Sequence, residues 1–458
     1  MAVYSLVLAA ALVVSAPYWL ARMVFSAKER GRYRAGLAGR FGVVPAELRE
    51  AVGGRQVVWV HAVSVGEVLA ATRLVAELET ELGEGWSIVV STTTATGQGL
   101  ARERFGAGRV FYYPLDFAWP VRAYLDAIKP KLLVLMESEL WPRMLVECRR
   151  AGVPVAVVNA RVSDRSFARG TRVRAVWGRV LGMVGMFLTQ SEEDARRLAA
   201  IGARAEGVRV AGNLKYDVKA AGGSRVAERI KEAAGGRPIV VAGSTVERLR
   251  DGNLNEEEML IQMWEGGARK ETGALLVLAP RHPERFGLVE SVVRGIAYAK
   301  ASDWGSVGGG NAPFAKNEKD GPPGSVDGPH GTADGRIDVV LLDTIGDLAA
   351  VYGVADVAFV GGSLVRRGGH NPLEPARFGV PVAMGPSYEN FREIVGKMRA
   401  ADGIRIVQDK DELEAALVEL LTNREEARAM GERGRRVFEG EQGATARAVE
   451  ALVAMVKR

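Results

Sequence analysis

Twelve short apolar runs, most of them closed by Gly, Pro or Ser and followed by an amphipathic stretch, limit what this chain can become more than any other feature. In the first half they lie at residues 57–61, 87–91, 110–112, 132–136, 155–159 and 186–189. In the second they lie at 238–242, 275–279, 339–342, 357–360, 381–384 and 404–407. Runs of this length suit strands buried on both faces, and helical patterns between them, as at 68–82, supply the crossovers. The βαβ rhythm predicts a parallel, doubly wound α/β sheet, and its restart near residue 238 predicts two Rossmann-like domains with a hinge at 220–237.

Ahead of the first strand, residues 2–20 carry no charge and as a helix would measure about 29 Å, close to the ~30 Å hydrocarbon core of a bilayer. No basic residue precedes this run, whereas Arg22, Lys28, Arg30, Arg32, Arg34 and Arg40 follow it, next to Tyr18 and Trp19. A cleavable secretory signal has the reverse order. The pattern predicts an uncleaved membrane anchor over 1–21 and a basic segment at 22–40 against anionic lipid, with the remainder on the cytoplasmic side. Pro17 shortens the ideal span, which leaves a helix lying on the membrane, or simply buried, as the alternative. The domains then run from 22 to 222 and from 236 to 440, with a C-terminal helix at 441–458. Residues 302–336 hold nine Gly and almost no apolar periodicity, so they read as a flexible surface insertion in the second domain.

Composition removes several chemistries. One cysteine, Cys148, among 458 residues cannot form an internal disulfide or a cysteine zinc site, and only four His are present. No GxxxxGK[ST] occurs, and no GxGxxG opens the first βα unit, which disfavours P-loop and dinucleotide enzymes. Asp409 and Asp411 form an Asp-x-Asp pair but open a helical stretch, where acids favour the dipole, so no metal site is expected. A net charge of +6 and a pI near 9.4 favour acidic partners. Nucleic acid is disfavoured, because the basic residues gather beside the apolar N-terminus and no stacking module is visible.

The chemistry-bearing residues fall just past strand ends, where doubly wound folds bind ligands. Glu67 ends the run His61-Ala-Val-Ser-Val-Gly-Glu67 at a helix start; beside Val65 and Val68 its carboxyl would be pushed upward, as a general base needs, or it simply favours the dipole. Glu137 and Glu139 follow 132–136, and at least one of them should meet a basic partner or a substrate, with Glu139 capping the next helix as the alternative. Arg161 and Lys215 are the basic candidates, Lys215 as a point charge for phosphate. In the second half Pro280 and Arg281, then Ile345, Gly346 and Asp347, then Asn371, Pro372, Leu373 and Glu374 occupy three strand ends. Gly361, Gly362, Gly368 and Gly369 permit close backbone approach, a helix opening near Pro372 would offer N–H groups to a phosphate, and Glu374 could accept ribose hydroxyls. Together these loops predict a nucleotide site.

The runs WVHAVSVGEV, LMESELWP, NARVSDRSF, GNLKYD, APRHPERF, DTIGDL and FVGGSLVRRGGHNPLEPARFGVPVAMGP, in this order, resemble the 3-deoxy-D-manno-octulosonic acid (Kdo) transferase family of lipopolysaccharide biosynthesis over about residues 1–440. The resemblance implies a GT-B fold, two Rossmann-like domains facing a cleft. It also implies inverting transfer of Kdo from CMP-Kdo to lipid A precursor with no required metal or other cofactor. It assigns Glu67 as the general base and Glu137 with Lys215 as the pair that stabilises the transition state. Pro280, Arg281, Ile345, Gly346, Asp347, Asn371, Pro372, Leu373 and Glu374 become contacts to CMP. A GT-B transferase or epimerase for another nucleotide sugar, and a noncatalytic membrane scaffold, are the competing readings. Two departures bear on the site: Arg143 stands where the family usually has Asn, and Val246 stands where it usually has His, ahead of an extension through Asn255.

Overall fold

The computed structural model describes residues 2–25, 36–137, 139–217, 224–247, 255–304 and 336–457. Most of the expected insertion (305–335) and part of the basic segment (26–35) lie outside the described residues. So do residues 218–223, of which 220–223 belong to the expected hinge, and residues 248–254 of the extension after Val246. The chain forms two compact units, Met1–Val218 together with Glu441–Arg458, and Lys219–Gly440.

The first unit is built on a seven-stranded sheet of β1 (Gln56–His61), β2 (Trp86–Thr92), β3 (Val110–Tyr112), β4 (Leu132–Met136), β5 (Val155–Ala160), β6 (Met186–Thr189) and β7 (Val208–Val210), ordered β3-β2-β1-β4-β5-β6-β7 and parallel throughout. The second unit carries β8 (Ile239–Thr245), β9 (Leu275–Pro280), β10 (Tyr298–Lys300), β11 (Val339–Leu341), β12 (Val357–Val360), β13 (Val382–Met384) and β14 (Arg405–Ile406), ordered β10-β11-β9-β8-β12-β13-β14, again parallel. Sequence order reverses between β1 and β4 in one sheet and between β8 and β12 in the other, which puts a crevice at the carboxyl ends of those strands. The two strands that apolar periodicity did not disclose, β7 and β10, are three-residue edges. Val208-Arg209-Val210 is largely exposed and carries no buried-strand signal.

Both faces of each sheet are covered, as a parallel sheet requires. One face of the first sheet packs Val58, Val60, Val134 and Val158 against the helix Val65–Leu82 and, through Ala448, Val449 and Leu452, against the helix Ala444–Val456. The last segment of the chain thereby completes the first unit's core. Its docking is fixed by Asp217, whose buried carboxylate accepts from Gly443 N (2.7 Å) and from Thr445 N. In the second unit Trp264 and Phe359 anchor one face and Tyr352 the other.

The expected membrane-spanning anchor is where the structure departs from the sequence reading. A helix does form over Ala2–Phe25, with Pro17 inside it, but among the described residues no helix is long and apolar enough to cross a membrane. Its first turn is tied to the first unit instead. Tyr4 Oη donates to Asp116 Oδ2 (2.8 Å), and Arg143 Nη2 donates to Ser5 Oγ (2.9 Å). Asp116, buried, also accepts from the backbone N–H groups of Arg143 (2.9 Å) and Met144 (2.7 Å), capping the helix Pro142–Arg150 from outside. Arg143, the departure from the family's Asn, thus joins the N-terminal helix to the domain.

Candidate functional site

Glu67 lies in the first turn of the helix Val65–Leu82, immediately past β1. Its side chain is 8% exposed, and its two oxygens accept from Val63 N (2.8 Å) and Ser64 Oγ (3.1 Å), bonds that hold the carboxylate in place. Burial pushes its pKa above the usual 4.5; the Val63 and Ser64 bonds oppose that shift, and the negative charges of Glu137 and Glu139 add to it. The position therefore combines proximity to two other carboxylates with raised basicity.

Glu137 follows β4, across the switch point from β1. It is one of five non-Gly residues with positive φ among the described residues (φ 55°), and Asn159, at the end of β5, is another (φ 60°). Left-handed backbone at non-Gly positions costs about 1–3 kcal/mol and recurs at functional sites. Here it turns the Glu137 side chain to Lys215, whose Nζ lies 3.0 Å from Glu137 Oε1. Both side chains remain half exposed, so the pair is available to a ligand rather than locked in the core. Lys215 stands on the short turn Leu214–Asp217, which Asn159 Oδ1 fixes by accepting from Leu214 N (3.1 Å) and which Arg73 Nη1 fixes by donating to Asp217 O (2.6 Å). Glu139 is raised by burial and by Glu137. Glu67, Glu137 and Lys215, drawn from three separate stretches of sequence, are therefore brought to one crevice.

Beneath them lie groups that motif reading passed over. His61 is fully buried, stacks on Tyr113 with ring centroids 3.8 Å apart, and has Nδ1 3.0 Å from Ser91 Oγ. Burial lowers its pKa to about 3, so the ring is neutral. His61 Nε2, Thr93 Oγ1, Tyr113 Oη and Trp141 Nε1 are buried without a hydrogen-bond partner, at or just beyond the ends of β1 to β4. Their only sequence signal is that each follows an apolar strand.

In the second unit, Pro280 ends β9 and Arg281 N donates to Thr245 O (2.9 Å), which holds the exposed Arg281 side chain at the end of β8. The positive charge of Arg281 reaches His370 and Glu374. Burial, with Arg281 and His282 adding to it, lowers His370 to about 4; burial raises Glu374, against the pull of Arg281 and a bond from Asn371. Asn371 Oδ1 accepts from Leu373 N (3.1 Å). Pro372 and Leu373 are buried, so any contact to a ligand would come through their backbone. Ile345 is 78% exposed beside Gly346 (φ 99°), and Asp347 accepts from Ser224 Oγ (2.7 Å). The helix expected to open near Pro372 is only Leu373–Ala376, four residues, too short for a substantial dipole, and the N–H groups of the glycine loop, those of Gly361, Gly362, Gly368 and Gly369, all donate within the unit, to Gly243 O (2.8 Å), Glu256 Oε2 (2.7 Å), Ser387 Oγ (2.9 Å) and Gly362 O (2.8 Å).

That loop is organised by a residue the sequence did not flag. Glu256, fully buried at the start of the helix Glu256–Met263, accepts from Gly362 N (2.7 Å), Ser363 N (2.9 Å), Leu364 N (3.0 Å) and Val246 N (3.1 Å). It bridges the loops after β12 and β8 across the second switch point. Burial raises it to about 7 in spite of those four bonds. Glu257 beside it accepts two bonds from Arg285 (2.7 and 3.0 Å) and one from Thr245 Oγ1 (2.7 Å). Val246 is buried and gives Glu256 its N–H, so at this position no polar side chain is presented to a ligand.

Among the described residues no three or more His, Cys, Asp or Glu side chains gather in a way that could hold a metal ion. Asp409 caps the helix Lys410–Thr422 by accepting from Asp411 N and Glu412 N, both 3.0 Å.

A family model described as 3-deoxy-D-manno-octulosonic-acid transferase (kdotransferase) matches residues 35–218. The 3-deoxy-D-manno-octulosonic acid transferase of Haemophilus influenzae is 31% identical over 433 residues, 93% of each chain. That of Bordetella pertussis is 34% identical over 408 residues, 86% of each. Among solved structures, a putative UDP-N-acetylglucosamine 2-epimerase from Listeria monocytogenes aligns with a TM-score of 0.57 at 14% identity, covering 87% of this chain and 96% of that one. UDP-GlcNAc 2-epimerase from Neisseria meningitidis aligns at 0.56 and 11% identity, covering 87% and 100%. These structural likenesses, at low identity, establish the GT-B fold alone. The extent and identity of the sequence relatives go further: the chain belongs to the Kdo transferase family, a family of glycosyltransferases.

Proposed function

We propose that this enzyme transfers Kdo from CMP-Kdo to a lipid A precursor in lipopolysaccharide biosynthesis, with inversion and with Glu67 as the general base. The observation that carries this reading is the buried, basicity-raised Glu67 carboxylate beside the Glu137–Lys215 pair at the first switch point. In the reaction, the acceptor hydroxyl oxygen forms a bond to the anomeric carbon of Kdo while the bond from that carbon to the CMP phosphate oxygen breaks. The hydroxyl proton goes to Glu67, and the electron pair of the broken bond leaves with CMP. The transition state is oxocarbenium-like. Glu137 opposes its positive charge and Lys215 its negative charge, a fixed dipole of the kind that lowers such barriers. No metal has a role in this scheme. Pro280, Arg281, Ile345, Gly346, Asp347 and the Asn371 to Glu374 stretch hold the cytidine monophosphate part, with the exposed Arg281 guanidinium next to its phosphate.

The same reading puts the protein at the cytoplasmic face of the inner membrane. We propose that the helix Ala2–Phe25 lies along the bilayer surface, in contact with anionic lipid. Val3, Leu6, Val7, Val13 and Val14 are exposed on it, while Tyr4 and Ser5 bind the domain, an arrangement that suits in-plane insertion of one apolar side.

Mass spectrometry of lipid A precursor after incubation with enzyme and CMP-Kdo tests the activity and counts the sugars added. Tighter binding of CMP than of UDP by the isolated enzyme is expected. The opposite preference would move the reading to the UDP-sugar epimerases and transferases that share the fold.

A further inference from the structure

A cavity of about 540 Å³ opens in the first unit between the sheet and two consecutive helices, Asp164–Arg172 and Arg174–Leu181. Val157, Phe187, Trp177 and Leu198 form its apolar wall, whereas the exposed Arg161, Arg169 and Arg172 line its mouth. Interiors are close-packed and carry few voids larger than a water molecule, so an opening in the size range of small-molecule sites calls for a physical account.

The two covering helices pack Phe167, Trp177 and Val180 against the core on this face of the sheet and are pinned at two further places. Arg197 ties down the start of the first by pairing with Asp164 (2.6 Å), donating to Val162 O (2.8 Å) and lying 5.5 Å over the Phe167 ring. The second meets the next helix turn so closely that a Cβ on Gly202 would stand 2.6 Å from Gly178 Cα. Fixed at both places, the cover cannot collapse to fill the space. Its outer surface is strongly basic, with six Arg against one Asp between residues 161 and 182, and Val173 and Val176 are exposed beside the mouth (46% and 64%).

An apolar chamber with a guanidinium rim matches a ligand that is a hydrocarbon chain at one end and an anion at the other; arginine binds phosphate oxygens through paired N–H donors. The mouth also adjoins the reaction site. Arg161 directly follows β5, Glu137 directly follows β4, and these neighbouring strand ends are joined by Glu137 N donating to Val158 O (2.8 Å). Neighbouring strands lie about 4.8 Å apart, so the spacing suits one amphiphile with its head at the carboxylates and its tail inside. We infer that this cavity holds one acyl chain of the phosphorylated lipid acceptor, with a headgroup phosphate on Arg161, Arg169 and Arg172. The inference rests on the transferase reading given above.

Two measurements test it separately from that reading. The first is the ratio of kcat/KM for an acylated acceptor to that for its deacylated, water-soluble headgroup. Ser166→Phe, which adds bulk from an exposed position on the cavity lining, should lower this ratio about tenfold, and Val173→Trp should act in the same direction. An unchanged ratio in both variants overturns the inference. The second needs no turnover: a phosphatidic acid with brominated acyl chains should quench a component of tryptophan fluorescence that is missing in Trp177→Phe. Arg169→Ala combined with Arg172→Ala should weaken that quenching, and brominated phosphatidylcholine should quench less. Equal quenching with and without Trp177 overturns the inference. Quenching as expected with an unaltered acceptor ratio assigns the cavity to a bilayer phospholipid and overturns the acceptor assignment. Absence of any Kdo transfer by the unmodified enzyme overturns the transferase reading, and the fluorescence arm still decides whether a phosphorylated acyl lipid enters.

Discussion

Each unit places glutamates at the point where its strand order reverses, and the two units use them in opposite ways. At the first, Glu67 accepts two hydrogen bonds among the described residues and has two like-charged neighbours, Glu137 and Glu139, so its proton affinity is raised and its oxygens are left with capacity for a further partner. At the second, Glu256 accepts four backbone N–H groups from two loops and is fully buried. Both carboxyls are pushed upward by desolvation, so the shift alone does not separate a reactive acid from a structural one. The count and origin of the donors does: backbone donors from two loops make a brace, whereas a donor pair within one turn leaves a base.

The comparison fails if the two residues respond alike. Glu67→Gln is expected to cut Kdo transfer by about 10³-fold with the melting temperature unchanged, the size of effect general bases show; near-normal turnover would remove Glu67 from the chemistry. Glu256→Ala strands several buried N–H groups, each costing about 1–3 kcal/mol, so the second unit should lose roughly 3 kcal/mol or more in urea unfolding and with it CMP affinity. Lys215→Ala, at a half-exposed position, should lower kcat by about 10²-fold at unchanged stability, since exposed ion pairs contribute little to folding.

Proton dependence sharpens the contrast. With Glu67 as the proposed base, transfer would need its ionised form, so the rate should rise with pH through a value above 4.5, and Glu67→Gln should abolish that limb. Glu256 titrates at about 7 when folded, above its unfolded value of 4.5, so the native state keeps a proton that the unfolded chain has released. Its contribution to stability is full below 4.5 and is lost as pH rises to about 7. A melting-temperature profile in which Glu256→Gln flattens the fall over that range checks the sign. The smallest expected effect is at the N-terminus: Tyr4→Phe removes one hydrogen bond to Asp116, costs about 1 kcal/mol and should modestly weaken flotation with anionic vesicles.

Most strands were legible because parallel strands buried on both faces must be apolar without a break, and Gly, Pro or Ser must end them. The edges β7 and β10 were not, since three residues are too few to carry such a pattern, and Val208–Val210 is largely exposed as well. Glu67, Glu137 and Lys215 were legible as polar residues directly past apolar runs. What brings the last two together was not, because the positive φ of Glu137 and the Asn159 bond to Leu214 depend on strands far apart in sequence. Glu256 was invisible for a related reason. It opens a helix as acidic residues commonly do, and only the fold reveals that three of its donors lie more than a hundred residues away. The apolar N-terminal run misled about spanning because hydropathy does not register that Tyr4 and Ser5 have partners on the domain.

The helix Ala444–Val456 packs against the helix that carries Glu67, inside a core whose other buried members all lie between Val58 and Leu214, more than two hundred residues earlier in the chain. During synthesis, therefore, the first unit to emerge from the ribosome is the last to be finished. Its core and the buried Asp217 wait with one surface uncovered while the whole second unit is translated. Glu67, the proposed general base, acquires its full support only when the helix Ala444–Val456 has emerged, so a chain cut before that helix lacks the packing that seats Glu67.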